Sequence, residues 1–315
     1  MKDVAASRES IRKNHIVGGN TESVRVGLLY GVAAYTCWGI VPLYFKAVHA
    51  VPPREMLAHR IVWSALLLML IMAVAGKLGT LVRTFRSGRV FGFLILSTMF
   101  IAANWYVYIY SVSTNQILQG SLGYFILPLV NVAAGTLFFG EKLGRLQWLA
   151  IIFASGGVLV LIVWLGMLPW IALTLAITFS IYGIIRKHVA VDGTIGLTVE
   201  TLILTPIAFL FLLVWGTDDR LAFQHISPGL DWLIILSGLI TTVPLICFGQ
   251  AVPRLRIVTI GMLQYIAPTL AFLLAVWLYD EAFPFGYQVG YGLIWIGLAI
   301  FVADAVRRRN RSAIS

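Results

Sequence analysis

Residues 121–131 read SLGYFILPLVN, and 140 positions later residues 261–271 read GMLQYIAPTLA. The shift sets Phe125 against Tyr265, Ile126 against Ile266 and Pro128 against Pro268. Thirteen residues beyond each proline stands an acid, Glu141 in the first case and Glu281 in the second. The same shift lays Gly157 on Gly297, and a shift of 144 lays Trp38-Gly39 on Tyr182-Gly183. Short identities are common in apolar sequence. A fixed proline-to-acid interval that spans a helix and its exit is rarer, and it points to two related halves.

The surrounding chain is largely apolar. Hydrophobic residues make up 60% of its 315 positions and charged residues 11%, with a mean hydropathy of +0.91. Soluble domains carry roughly 45–50% and about 25%. So few polar residues cannot coat a water-soluble globule of this size, and so apolar a chain is not disordered. A hydrocarbon core about 30 Å thick is crossed by about 20 apolar residues in a helix. Ten stretches meet that requirement: 27–48, 55–76, 91–112, 118–140, 146–164, 168–186, 196–215, 231–252, 258–278 and 286–305. They predict an all-α polytopic membrane protein with ten transmembrane helices. Five spans per half is an odd number, so the second half must insert upside down relative to the first. That is the inverted-repeat plan of many secondary carriers. The expected division is a tail over 1–26, a five-helix repeat over 27–164, its inverted counterpart over 165–305 and a basic tail over 306–315.

Charge supplies the orientation. A net charge of +10 and a pI near 9.8 would raise nucleic-acid binding in a soluble protein. Here nineteen of the 23 Lys and Arg residues share a side with the N-terminus. They lie in the N-terminal tail, the link 77–90, Lys142 and Arg145, Arg186 and Lys187, Arg254 and Arg256, and the C-terminal tail. Arg54 and Arg220 fall on the opposite side. This positive-inside bias places both termini in the cytoplasm, predicts a plasma (inner) membrane protein and removes nucleic acid as a partner. Val48-His49-Ala50 resembles a signal-peptide cleavage site, but the apolar run before it is too long and holds Lys46, so the first span is expected to stay.

Enzyme and cofactor signatures are missing from the sequence. Cys37 and Cys247 lie in apolar runs without disulfide or zinc spacing. The five histidines include no i, i+4 pair, so there is no HExxH helix and no metal is expected. There is no GxxxxGK[ST] run, and Gly120-Ser121-Leu122-Gly123 is one residue short of a nucleophile elbow. Neither catalysis nor a cofactor is expected.

Several groups of residues together carry a family resemblance. They are Trp38-Gly39 with Pro42 and Tyr44-Phe45-Lys46; His59-Arg60 with Trp63-Ser64; Asn104-Trp105; Ser121 to Ile126 followed by Pro128 to Asn131; Gly140-Glu141; Thr241 to Pro244; Arg254-Leu255-Arg256; and Gln264 to Thr269. With them the chain resembles the ten-helix drug/metabolite transporter superfamily of the EamA type, and more closely its RarD group, the so-called chloramphenicol-sensitive proteins. The resemblance spans about 27–305. It departs from pattern where Asp280, not Gly, precedes the second acid. It implies a permease fold in the plasma membrane and names no substrate.

Ionisable side chains inside a bilayer are costly and are read first as functional. Arg60 lies roughly 7–9 Å along its helix from the outer end, at 1.5 Å per residue. It is either an anchor that reaches the interface or a cavity cation that pairs a substrate anion. Lys46 offers the same two readings. Glu200 falls on Arg60 under the shift of 140, but in the inverted half, so it is expected near the inside end of span seven. It is a candidate proton-coupling site or a partner for Arg186 or Lys187; His59, one turn from Glu55, is the second proton candidate. Trp38, Trp63, Trp105, Tyr108, Tyr124, Tyr182 and Tyr265 are candidates for lining a cavity, as are Asn104, Asn131 and Gln264, whose amides avoid hydrocarbon. His59 can also contact substrate. Pro128, Pro244 and Pro268 are expected to bend their helices, and Glu141 and Glu281 to act as structural caps.

The resulting expectation is a secondary carrier that moves a small anionic or zwitterionic organic solute by alternating access. Its other partners are membrane lipids, and a homodimer is compatible with the apolar surface. Two rival readings remain. An intramembrane enzyme or lipid flippase needs a polar cluster open sideways to lipid. A non-transporting sensor would be favoured by an added soluble domain.

Overall fold

A computed structural model describes residues 21–139, 143–166, 168–189, 191–216, 221–251, 254–255, 259–260 and 263–312. Among these the regular structure is helical. The helices are α1 (Thr21–Ala47), α2 (Pro53–Val74), α3 (Leu78–Arg86), α4 (Gly88–Ser113), α5 (Ile117–Phe139) and α6 (Arg145–Leu165). After them come α7 (Trp170–Val189), α8 (Gly193–Gly216), α9 (Pro228–Ala251), α10 (Ile266–Leu273) and α11 (Phe285–Ser312). A π-helical turn over Leu274–Leu278 continues α10. Seven helices, α1, α2, α4, α6, α8, α9 and α11, are long and apolar enough to cross a membrane. Shorter apolar helical segments, Ile117–Pro128, Trp170–Arg186 and Ile266–Leu278, lie in α5, in α7 and in α10 with its π turn.

Local chemistry explains several helix ends. Pro53 opens α2, where a missing N–H costs nothing. Gln147 Oε1 accepts the Gly144 N–H at 3.0 Å and caps α6, and Gly166, at φ +64°, ends that helix. Helix α3 lies where the sequence predicts a link. Leu78, Leu81, Val82 and Phe85 recur at three- and four-residue spacing, so the segment is amphipathic. Leu81 and Phe85 pack with Met72, Leu94, Ile195 and Val199, while Arg83 and Arg86 stay exposed. At nine residues α3 is far too short to span.

The helices pack in reciprocal pairs. Helix α6 lies antiparallel to α11, with Gly157 against Gly290 and Ile294, and Gly297 against Ala150. Helix α1 lies antiparallel to α9 and parallel to α10, where Gly39 meets Leu270. Helix α7 lies antiparallel to α4 and parallel to α5, where Gly123 meets Ala172 and Leu175. Helix α2 packs on α8 and α9, α8 also packs on α4, and α5 packs on α10. Exchanging α1, α2, α4, α5 and α6 for α7, α8, α9, α10 and α11 in order returns this same set of pairs.

The two ends of the bundle differ. One end, where α1 begins and α11 finishes, is called here the basic end, and the opposite one the far end. The largest buried apolar cluster lies at the far end. It draws Phe45, Met56, Ile109, Leu122, Leu161, Ala172, Ile234, Ala275 and Tyr291 from every helix except α3 and α8, besides other buried residues. Toward the basic end the buried apolar residues form smaller groups, one around Leu94 and Val199 and one of Ala150 with Ala154. Exposed apolar side chains such as Leu70, Met99, Ile152, Val163 and Ile207 cover the outside of the bundle, the surface that lipid solvates.

Candidate functional site

Arg60 stands two turns into α2, about 10 Å from its start at 1.5 Å per residue, just beneath the far-end core. Its Nε donates to Thr241 Oγ1 on α9 at 2.6 Å. Its guanidinium lies over the Trp105 ring of α4, 4.6 Å from the ring centroid. The phenols of Tyr44, Tyr108 and Tyr124 lie within electrostatic reach. Two of these are held in place. Tyr44 donates to the Leu233 carbonyl at 2.8 Å, and Tyr124 donates to Asn104 Oδ1 at 3.1 Å. Asn104, itself buried, donates from Nδ2 to the Leu175 carbonyl at 2.9 Å and to Thr178 Oγ1 at 3.0 Å. Arg60, Trp105, Tyr108 and Tyr124 are each half-buried, with Tyr108 and Tyr124 packed against the buried cluster of Val107, Ile171 and Leu175. Among the described residues no carboxylate pairs with Arg60. The site is a cation between facing helices, walled by aromatic faces and phenols, with no acid of its own.

A second polar cluster lies toward the basic end. Glu200 on α8 is fully buried. Its Oε1 accepts from Ser97 of α4 at 2.5 Å, and its Oε2 accepts from Tyr182 of α7 at 3.2 Å. Arg186 Nη1 stands 3.8 Å from Oε1 and makes no hydrogen bond, so the ion pair is loose. Arg186 also lies against Gly196, where a Cβ would collide with its guanidinium. A row of rings joins the two clusters. Tyr108 meets Tyr124 at 5.8 Å between centroids, Tyr124 meets Phe179 at 6.1 Å, and Phe179 meets Tyr182 at 5.8 Å.

The remaining candidates are scattered. Lys46, in the last turn of α1, donates to Asn115 Oδ1 and sits over the Tyr279 ring at 5.0 Å, apart from Arg60. His59 is buried, and its ring meets that of Phe223 at a tilt, 4.7 Å between centroids. Its Nε2 lies 3.9 Å from Glu55 and has no hydrogen-bond partner. Trp38 packs with Tyr35 and Phe248 on the α1–α9 contact. Trp63 is half-buried, its Nε1 has no partner, and its backbone meets Gly238. Tyr265 and Gln264 are half-buried just before α10, and the Tyr265 hydroxyl is likewise unpartnered. Asn131 is exposed on α5. Pro128 and Pro244 lie inside α5 and α9, whereas Pro268 falls in the first turn of α10, where no helix bond is lost.

Glu281 accepts the N–H groups of Ile117 and Leu118 at 2.7 and 2.8 Å. Burial raises its carboxyl above the usual carboxylate range, against the lowering pull of those N–H groups and of Lys46. Two features deliver it there: the π turn and Asp280 at φ +49°. That backbone conformation suits glycine best and Asp tolerates it. The first half has Gly140 at the matching sequence position; Gly140 and Glu141 lie outside the described residues.

Sequence reasoning missed Thr241 and Ser97 as partners, and it passed over Tyr44 as a site residue. The signal for that phenol was available, since it is a polar group inside an apolar span. Thr241 and Ser97 carry none, because a helical hydroxyl usually bonds its own backbone.

The profile described as the EamA-like transporter family matches residues 25–163. Protein RarD of Escherichia coli (strain K12) is 40% identical over 294 residues, covering 93% of this chain and 99% of its own. An uncharacterized transporter of Vibrio cholerae is 39% identical over 91% of this chain and 95% of its own. A protein of Pseudomonas aeruginosa named chloramphenicol-sensitive protein RarD is 30% identical over 91% and 97%. A solved crystal structure superposes with a TM-score of 0.60 at 18% identity, over 88% of this chain and 97% of the other, which shows a shared fold.

Proposed function

Because this chain belongs to the EamA-like transporter family, alongside the RarD proteins, we propose that it is a secondary carrier working by alternating access between two inverted five-helix halves. In this reading α5, α7 and α10 also cross the bilayer, giving ten spans, with repeats over 27–164 and 165–305 and tails over 1–26 and 306–315. The support is the reciprocal packing, which maps onto itself when the halves are exchanged. Both termini face the cytoplasm of the plasma (inner) membrane. Among the described residues Arg25, Lys77, Arg83, Arg86, Arg89, Arg145, Arg186 and Arg254 stand at helix ends on the side where α1 begins, which the positive-inside rule would assign to the cytoplasm.

The solute is a small organic anion or zwitterion with an apolar or aromatic part. One observation carries this: Arg60 sits between helices of both halves with an alcohol, an indole face and three phenols around it, and no acid among the described residues. A half-buried cation without a counter-charge is costly, and a solute anion would supply that charge. Trp105, Tyr124 and Asn104 would then shape the pocket. Trp38, Trp63, Asn131, Tyr182, Gln264 and Tyr265 would line the route, and Lys46 would lie at its far mouth.

Protons are the coupling ion in this reading, and Glu200 is the better carrier of them. It is buried, held by two hydroxyls and only loosely paired, so its charge is poorly compensated. His59 lies beneath Phe223 and would meet protons only with the far end open.

The deciding experiment is an unbiased comparison of released metabolites between a deletion strain and an overexpressing strain. One or more anionic solutes should change in opposite directions in the two. If no solute changes, the carrier reading fails.

A further inference from the structure

We propose that the far end is closed by two reciprocal carboxylate clasps, Glu55 on Ala222–Phe223 and Glu281 on Ile117–Leu118, which let go together when that end opens. The proposal rests on the carrier reading above, and its test needs no solute.

Glu55 belongs to α2, in the N-terminal half, and is 1% exposed. Both its oxygens accept the Ala222 N–H, at 2.8 and 3.0 Å, and Oε1 also accepts the Phe223 N–H at 3.0 Å. These two donors belong to the C-terminal half. Glu281 reverses the arrangement. It comes from the C-terminal half, and its two oxygens take the N–H groups of Ile117 and Leu118, the first residues of α5 in the N-terminal half. Each half therefore offers one acid that grips two successive backbone N–H groups of the other.

Tyrosine hydroxyls repeat the exchange. Tyr44 of the N-terminal half donates to the Leu233 carbonyl, and Tyr291 of the C-terminal half donates to the Leu118 carbonyl. A cap that merely finished a helix would bond within its own half and would travel with it. These bonds run between the halves, so any motion that parts the halves at this end must break them. Ala222, Ile117 and Leu118 are buried members of the far-end core, and Glu281 reaches them from the wall of an open cavity of about 240 Å³. Charge-assisted bonds to such buried residues are strong and are lost as a set. Neither acid touches the Arg60 cluster. Their role is positioning, not solute binding.

Hydrogen exchange on the full chain in lipid nanodiscs tests the coupling. In the wild type, the amides at 117–118 and 222–223 should exchange slowly and at one shared rate, within roughly two-fold, because one opening exposes both. Glu55→Gln should speed exchange at 117–118, which Glu55 does not touch, by roughly ten-fold, and Glu281→Gln should do the same at 222–223. Segment 195–199 at the basic end should not change. The proposal is overturned if each substitution loosens only its own segment, or if all segments loosen alike. If neither variant folds, the wild type still decides: a shared rate supports one gate, and rates more than about ten-fold apart refute it. Failure of the metabolite comparison would bear on the carrier reading and leave these rates as they are.

Discussion

The far end and the basic end of this bundle are built from the same helices and hold together differently. At the far end, side chains from nearly every helix share one buried cluster, and acids and phenols cross between the chain's halves. At the basic end, buried apolar groups are small and local, and the cross-half tie seen among the described residues is Ser97 to Glu200. Packing symmetry at the level of helix pairs thus coexists with asymmetry in how tightly the two ends are shut. On the alternating-access reading this is the state closed at the far end, and the Arg60 cluster lies just beneath the closure. A carrier needs such an asymmetry to be reversible, with the two ends close enough in free energy for a solute or a proton to tip them.

The largest effect expected is from Arg60→Ala. If Arg60 supplies the solute's charge partner where the tight and loose regions meet, its loss should cost about 2–3 kcal/mol, roughly 30- to 150-fold in transport kcat/KM. Arg60→Lys should recover little, since a point charge does not reproduce both the Thr241 bond and the flat contact with Trp105. Uptake into vesicles of the solute found by metabolite comparison provides the measurement. Transport by Arg60→Ala at the wild-type rate would remove Arg60 from the site.

Arg60 also shows how far the sequence could be read. A cation in an apolar run is visible without coordinates, and so are the helices, because hydropathy and a hydrocarbon core dictate them directly. The shifted match of Pro128 and Pro268 marked α5 and α10 as counterparts in two related halves, but their packing on each other is seen only in the structure. Helix α3 escaped, because nine amphipathic residues resemble a charged link when only spans are sought. The partners of Arg60 and Glu200 escaped for another reason. Thr241, Ser97 and the backbone N–H groups held by Glu55 and Glu281 carry no signature of their own; three-dimensional packing gives them their roles. Arg60 and Glu200, matched by the shift of 140, have different partners.

Glu200→Gln tests the tie at the loose end and should have the next largest effect. Glutamine keeps one oxygen to accept from Ser97 or Tyr182, and the other hydroxyl can turn to accept from its amide, so folding should be little disturbed, but it cannot ionise. Solute exchange in the absence of a gradient should persist, while accumulation driven by an imposed pH gradient should fall on the order of ten-fold. Equal gradient-driven accumulation by both proteins would exclude Glu200 as the coupling site.

Two glycines compare the ends directly. A Cβ at Gly123, in the far-end packing of α5 on α7, would stand 2.8 Å from the Ala172 carbonyl oxygen and 2.9 Å from Leu175 Cβ. At Gly183, further along α7 toward the basic end, it would meet nothing within 4 Å. Gly123→Ala should therefore destabilise by about 1–3 kcal/mol. Gly183→Ala should be neutral or should stabilise by up to about 1 kcal/mol, since alanine favours helix. Thermal unfolding in detergent reads both. A similar Tm change for the two would show that the ends are equally tight.

Tyr124→Phe should have the smallest effect, and it probes the seam between the two regions. The substitution keeps the ring that touches Tyr108 and Phe179, so the row of aromatic contacts survives. It removes one hydroxyl, which donates to Asn104 Oδ1 at 3.1 Å. Asn104 keeps its bonds to the Leu175 carbonyl and Thr178, which hold it against α7. Its oxygen, however, is left in a buried site without that donor, at a cost of about 1 kcal/mol. If Tyr124 only completes the packing, that cost should appear as a lower Tm with unchanged transport. If its phenol also faces the solute beside Arg60, KM should rise by roughly five-fold while kcat stays near its wild-type value, because the lost bond is made equally to bound solute and to the state that moves it. The ratio of the two parameters, not either alone, separates a wall residue of the sealed end from a residue of the solute site.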